Sequence, residues 1–397
     1  MLGLEMMSFS VDDSYAEAIC RSLRKGFIRD EQYLQLKACS NLQEYKLVLE
    51  DTDYNAYIAN EANPIEIVVL KRRCKEKLMI EIQHMIGQST QPLTGFLERM
   101  LHCYQIDNVV GMIEGLKNDQ PLDILLKGCD PLGYFPELKN IRSVDNNDYA
   151  ALYQQVLIDL PIGEYFRKFL DQQISKADGV QVKDASYIYD IMKELKAEKI
   201  KNILKKIWLA EFHKYCMENL PGDTTRAVMD DLLKFESDCM TLQIIYNSLD
   251  ISGLSDARGR EDRRNYINSL GYLYPDKDTE LNDADSFDKL KAAVQGYEYE
   301  HMLNQVSEGA RGAEFNAAGK SIDDVMFVEK ARRYSMAFEN GFHYGVFYGY
   351  LKLREMEIRN LVWLAELVSI GVPRQMPGWS KYILPFKYHI EEGQNAQ

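Results

Sequence analysis

The chemistry that would matter most is phosphate binding, and Gly312…Gly319-Lys320-Ser321 comes nearest to it. A phosphate loop needs four residues between its first glycine and the Gly-Lys-Ser, so that backbone N–H groups encircle the phosphates. The glycine position is held by Glu314, and no strand pattern precedes it. Ser321 is expected instead to cap a helix, with Asp324 three residues on completing the cap. Magnesium diphosphate chemistry would need converging carboxylates. Asp230-Asp231-Leu-Leu-Lys234 lacks the third acid, and Asn282-Asp283-Ala-Asp-Ser286 falls in an expected linker. Asp276-x-Asp278-x-Glu280 begins like a calcium loop, but Leu281 stands at the turn glycine and Phe287 at the closing glutamate. That stretch reads as a solvated linker. The six histidines, His84, His102, His213, His301, His343 and His389, form no H-E-x-x-H and no ligand spacing with cysteine. His343, set among aromatics, is expected as a hydrogen-bonded core residue rather than a base. Serines lack a G-x-S-x-G context. No nucleophile, base and orienter assemble, so the expectation is no catalytic residue, no cofactor and no metal.

The elements that would position any site are helices; no alternating strand pattern is present. Phe338–Ile370 reads as one long helix on which Phe342, Val346, Tyr350, Leu353, Leu361 and Leu364 recur at three- and four-residue steps. Tyr344, Phe347 and Tyr348 fill the gaps in its first half, so it is either enclosed by other helices or lines a groove. Charged residues cut it too often for it to span a bilayer. Arg354, Glu355, Glu357, Arg359, Asn360 and Glu366 read as a solvated seam, with Glu355–Arg359 an exposed pair worth about 0.2–0.5 kcal/mol.

Helices are also expected over Val11–Lys25, stopped by Gly26, and over Asp30–Ala38 and Leu42–Glu50, the last capped by Ser40 or Asn41. Long antiparallel partners follow at Ile65–Ile86 and Leu93–Leu116. The plan recurs with Asp148–Leu157, Pro161–Phe169, Tyr187–Leu220 and Ala227–Leu249, then with Phe287–Gln295, Tyr297–Gln305 and Ser321–Phe338. Polar linkers are expected near 172–184, 251–264, 275–286 and 306–320. Tyr45, Leu49, Tyr54 and Ile58 align with Leu152, Val156, Pro161 and Tyr165, and with Leu290, Val294, Tyr299 and Leu303. Asp107-Asn108 similarly aligns with Arg359-Asn360. Such periodicity predicts an internal repeat.

A chain of 397 residues exceeds what a single core fills, so two or three subdomains are expected. Its 47 Lys plus Arg against 61 Asp plus Glu give a net charge of −14, which argues against a nucleic-acid partner. Neither a signal core nor a spanning segment is seen, so any membrane contact is expected through another protein. The seven cysteines never form C-x-x-C and read as reduced core thiols of a cytosolic compartment.

Several stretches resemble the d-subunit family of V-type (vacuolar) proton-pumping ATPases. They include Lys25-Gly-Phe-Ile, Asp51-Thr52-Asp53-Tyr54, Leu70–Leu78, Tyr104-Gln-Ile-Asp107-Asn108-Val109, Asp130-Pro-Leu-Gly133 and Asp223-Thr224-Thr225. The firmest are Phe342-His-Tyr-Gly-Val-Phe-Tyr348, Lys352-Leu-Arg-Glu355, Glu357-Ile-Arg-Asn360, Val362-Trp363-Leu-Ala-Glu366 and Tyr382-Ile-Leu-Pro-Phe386. Glu236-Ser-Asp238-Cys-Met departs from the family, lacking its arginine, and Lys387–Gln397 extends past the family's end and looks disordered. The resemblance implies an all-α funnel of three similar helical subdomains, 1–128, 129–250 and 251–386, around a central cavity. It implies a non-catalytic rotor part on the cytoplasmic face of an acidic organelle's membrane, between the proteolipid ring and the central shaft. Structural or interface residues would be sought at Tyr54, Asp107, Asn108, Phe342, His343, Phe347, Tyr348, Glu357, Arg359, Asn360, Trp363 and Glu366. The alternatives are a helical scaffold unrelated to the pump, a magnesium-dependent helical enzyme, and an archaeal-type relative serving another complex.

Overall fold

The structure is a computed structural model that describes residues 2–138, 160–176, 197–249, 257–306 and 321–371. Expectations on the Gly312–Lys320 loop, Asp148–Leu157, Leu152, Val156, Tyr382–Phe386 and Lys387–Gln397 lie outside the described residues.

The architecture is helical throughout the described residues, in the order α1 Leu2–Asp12, α2 Ser14–Arg24, α3 Asp30–Ala38, α4 Leu42–Glu50, α5 Asn55–Ile58, α6 Ile67–Gly87, α7 Leu93–Lys117 and α8 Leu122–Gly128. Then come α9 Gly163–Lys176, α10 Ala197–Asn219, α11 Asp223–Ser248, α12 Ala257–Arg264, α13 Asp278–Asp283, α14 Phe287–Ala293, α15 Glu298–Asn304, α16 Ile322–Met336 and α17 Gly345–Ile370. Local chemistry explains many of the boundaries. Asn41 Oδ1 accepts the Glu44 N–H at 2.9 Å and opens α4. Ser321 and Asp324 exchange bonds of 3.1 Å in both directions to open α16. Gly371, at φ 78°, closes α17 in the left-handed conformation that glycine adopts without steric penalty.

The chain divides into two compact units. The first comprises 1–97, 219–232 and 291–397, and its described core is α17 packed against α2, α3, α4, α6 and α16. Tyr45, Leu49, Tyr54 and Ile58 are each fully buried there, and the matching Leu290, Val294, Tyr299 and Leu303 are buried as well. The second comprises 98–218 and 233–290. Trp208 and Phe212 stack within it at 5.7 Å, and the Trp208 indole N–H donates to the Arg99 carbonyl at 2.9 Å. All seven cysteines are free thiols, and all but Cys129 are buried.

Two expectations change. Phe338–Ile370 is not one helix: α16 ends at Met336 and α17 starts at Gly345, with Phe342 between them at φ 65°. Asn340-Gly341 is a turn signal, and α2 satisfies the backbone of the break. Arg21 donates to the Phe338 carbonyl at 2.8 Å and to that of Asn340, while Glu17 Oε2 accepts the Phe342 N–H at 3.2 Å. The stretches near 251–264 and 275–286 are not merely polar linkers either, since α12 and α13 form inside them. Arg263, 2% exposed, donates to Ser248 Oγ at 3.0 Å and to the carbonyls of Asn282 and Ala284, holding the two short helices in place.

Candidate functional site

The middle of α17 carries an ionic cluster on its buried face. Arg354 and Glu357 lie one turn apart on the same face as Tyr350 and Leu361, and both are fully buried. The solvated seam expected there is therefore wrong at Arg354, Glu357 and Asn360, which face the core; Arg359 and Glu366 do face outward. The reason is that other elements supply partners. Glu357 Oε1 accepts Arg354 Nη1 and the Tyr54 hydroxyl, each at 2.7 Å, while Oε2 accepts the Ile28 N–H at 2.7 Å. Arg354 also donates to the carbonyls of Leu23 and Gly26 at 3.1 and 3.2 Å, so a cation sits at the C-terminus of α2, where the helix dipole favours it.

From α6 come Lys77 and Glu81, both buried and paired with each other. Lys77 Nζ is also 2.7 Å from Asp53, and the Tyr350 hydroxyl donates to Glu81 Oε2 at 2.6 Å. The Arg354 guanidinium lies 4.3 Å from the Phe27 ring centre, and Phe27 stacks on Tyr350 at 5.8 Å. Burial opposes the charge on Arg354, but Tyr54, Glu357, Tyr350 and Glu81 more than offset this and hold its pKa well above the ordinary value. Space is tight: a Cβ on Gly26 would fall 2.3 Å from Asp53 Oδ2. Three carboxylates face two cations in a site that cements five elements. No three His, Cys, Asp or Glu among the described residues are placed to hold a metal ion.

The aromatic half of α17 is enclosed, not groove-lining: Phe347, Tyr348 and Tyr350 are at most 1% exposed, and Tyr344, at its N-cap, is buried as well. Tyr348 meets Tyr334 edge-on at 6.1 Å, and Tyr344 meets Phe347 at 6.2 Å. Phe342 departs from that wall, being outside the helix and 40% exposed. His343 is buried, but its Nδ1 has no hydrogen-bond partner, and burial pushes its pKa down. Arg359 lies 4.2 Å over the Phe327 ring, Lys352 is 3.7 Å from Glu355, and Trp363 is half-buried. Asn360 sits beside the Tyr33 hydroxyl.

The second unit holds the remaining candidates. Asp107 faces Lys205 at 2.8 Å and Lys201 at 3.3 Å. Asn108 clamps Asp130, its Nδ2 donating to the Asp130 carbonyl at 2.9 Å and its Oδ1 accepting the Asp130 N–H at 2.7 Å. That clamp seats Gly133, where a Cβ would lie 2.2 Å from the Tyr104 carbonyl oxygen. The departing stretch Glu236–Asp238 also has a local role: buried Asp238 accepts the Tyr272 N–H at 2.7 Å.

Residues 16–378 match the protein family described as ATP synthase (C/AC39) subunit. The chain belongs to that family. Among its relatives, the V-type proton ATPase subunit d of Dictyostelium discoideum is 33% identical over 371 residues, 94% of this chain and 95% of the relative. The probable V-type proton ATPase subunit d of Oryza sativa subsp. japonica is 33% identical over 370 residues, 93% of this chain and 96% of the relative. An A-type ATP synthase component of Methanocaldococcus jannaschii is 23% identical over 357 residues, 88% of this chain and 80% of the relative. Within this C/AC39 member, Tyr54, Glu357 and Asn360 are brought together in one unit, and Asp107 and Asn108 belong to the other. Sequence reasoning missed Arg354, Glu81 and Lys77 as site residues. A signal existed, since Arg354 and Glu357 fall at helical spacing on the apolar stripe, where a charge must be paired if it is to be buried.

Proposed function

We propose that this chain is a non-catalytic rotor part of a V-type proton pump, linking the central shaft of the ATPase head to the membrane proteolipid ring. The observation that carries the reading is its likeness along nearly its whole length to proteins named V-type proton ATPase subunit d, at 33% identity against 23% for the archaeal relative. In this role it holds no reacting group and takes no cofactor. It sits on the cytoplasmic face of an acidic organelle's membrane through its protein partners; no helix among the described residues is long and apolar enough to cross a membrane. Three similar helical subdomains would form a funnel, and the buried quartets Tyr45–Ile58 and Leu290–Leu303 support likeness between the first and third. Tyr54, Asp107, Asn108 and Glu357 serve as internal fastenings, while Phe342, Arg359, Trp363 and Glu366 offer surface for neighbours. A part that transmits torque must resist local opening, and a helix tied by directional bonds to several others does so.

Affinity purification of tagged chain from detergent-solubilised organelle membranes tests this. Proteolipid and shaft proteins should accompany it, and depleting the chain should abolish ATP-driven acidification while leaving ATP hydrolysis by the detached head. Recovery of the chain alone, with acidification intact after its depletion, refutes the reading and favours a free scaffold.

A further inference from the structure

Asp13 stands between α1 and α2, at the N-cap of α2, yet its side chain accepts no backbone N–H of that helix. An aspartate there ordinarily takes the N2 or N3 amide. This one turns aside, and its Oδ2 accepts the Tyr344 hydroxyl at 2.6 Å. The residue is only 4% exposed. Among the described residues it has no cationic partner, and the neighbouring charge acting on it is that of Asp12, of like sign. Burial, only partly offset by the Tyr344 bond, raises its pKa. A carboxylate removed from water with one neutral hydrogen bond is an incomplete site, because buried charges are ordinarily paired.

The missing partner has room. Asp13 lines a cavity of about 550 Å³ whose other walls include Met6, Phe9, Asp12, Phe342 and Tyr344. Phe9 meets Phe342 edge-on at 6.0 Å and Tyr344 at 5.7 Å. Phe342 is held at φ 65°, a conformation that a bulky residue rarely adopts. Aromatic faces attract organic cations, and apolar walls suit a methylene stem. Beyond Asp12 and Asp13 the side-chain oxygens of the lining are neutral, those of Ser8, Gln91, Thr224, Thr225 and Tyr344, a poor set for a hard divalent ion. Two of the apolar lining residues also reach the surface, Met6 at 44% and Phe342 at 40% exposed. Exposed apolar lining of that kind suits a protein surface better than a small solute.

We propose that this cavity receives a lysine or arginine side chain presented by a protein partner, with Asp13 as counter-ion and Phe9, Phe342 and Tyr344 as its walls. The inference stands apart from the rotor reading, because the isolated full-length chain suffices to test the chemistry. Titration calorimetry with N-acetyl-lysine methylamide, N-acetyl-arginine methylamide and neutral N-acetyl-norleucine methylamide should show saturable binding of at least one cation and at least tenfold weaker binding of the neutral probe. Asp13→Asn, which keeps an acceptor for Tyr344, should erase that preference without lowering the melting temperature. Met6→Lys should raise the melting temperature and block the cationic probes, a test that holds even where Asp13→Asn fails to fold. Equal binding of the neutral probe, a preference surviving Asp13→Asn, or a Met6→Lys variant that melts lower and still binds would each overturn the proposal. A photo-crosslinker at Met6 in native membranes should capture a protein segment containing lysine or arginine. Adducts only to lipid, or spermidine binding with no protein adduct, would overturn the assignment to a protein partner.

Discussion

Replacing Arg354 by methionine keeps much of its volume and removes its charge, and the consequences can be worked out atom by atom. In the native site three carboxylates, Asp53, Glu81 and Glu357, face Lys77 and Arg354; without Arg354 they face one lysine. Glu357, fully buried, keeps only the Tyr54 hydroxyl and the Ile28 N–H. The Leu23 and Gly26 carbonyls lose a donor. Removing one member of a buried pair costs about 3–5 kcal/mol, and Arg354→Met is expected in that range. Glu357→Leu should cost a similar amount by stranding Arg354, Tyr54 and Ile28. Together the two changes remove charges of both signs, so the double variant should recover a coupling of at least about 2 kcal/mol. With two units, a global unfolding transition does not say which of them lost stability. Hydrogen exchange resolved by peptide is better: α17 and α6 amides in Arg354→Met should exchange about 10²–10⁴ times faster, since each 1.4 kcal/mol is a factor of ten. Amides of α10, in the other unit, serve as the reference. Native exchange in Arg354→Met, or losses in the double variant equal to the sum of the single ones, would refute the reasoning.

Phe347→Ala removes a fully buried ring from the aromatic half of α17 and should cost about 3–5 kcal/mol by chemical denaturation; unchanged stability with lost shaft binding would make that wall a docking surface instead. His102 is buried, with Nδ1 2.8 Å from the Tyr165 hydroxyl, and burial, aided by Arg99, pushes its pKa from 6.5 to about 4. The unfolded chain therefore binds the proton more readily, so stability is full above about pH 6.5 and falls by up to about 3 kcal/mol as pH drops toward 4. Acid unfolding followed by Trp208 fluorescence should show this dependence, and His102→Gln should flatten it. Gly133→Ala must push the Tyr104 carbonyl aside and should cost about 1–3 kcal/mol, whereas Gly128→Ala meets nothing within 4 Å and should gain about 0.4–1 kcal/mol, both by denaturant titration.

What could be read from the chain was what local chemistry decides. The limits of α3 and α4, the Asn41 cap and the Ser321–Asp324 box each depend on residues within four positions of one another. Asn340-Gly341 carried the same kind of signal and lost to the aromatic stripe around it, so the break before α17 went unread. The ionic core went unread for a different reason, although its spacing on the apolar stripe was a signal. Residue type marks Arg354 and Glu357 as surface, and the partners that settle their burial are remote: Tyr54 is 303 residues from Glu357. Asp107 is similar: its lysines come from α10, 98 residues further along for Lys205. Periodicity shows which face of a helix is buried, but not what waits on the other side.

Why retain an ionic core on the otherwise apolar buried face of α17? Net stability is a weak answer, since well-packed apolar residues often serve as well as a buried ion pair. Register is a better one. Apolar attraction is non-directional, so a helix held by apolar contacts alone can slide among its neighbours at modest cost. Glu357 removes that freedom because its two oxygens must meet a hydroxyl from Tyr54, an amide from Ile28 and a guanidinium one turn away. Arg354 adds the end of α2, and Tyr350 adds α6 through Glu81. A shift of α17 by one residue would break all of these at once and strand several charges in a low-dielectric interior. The helix is thereby held in one position by groups drawn from four other segments of the chain, which is the mechanical property a torque-bearing part requires.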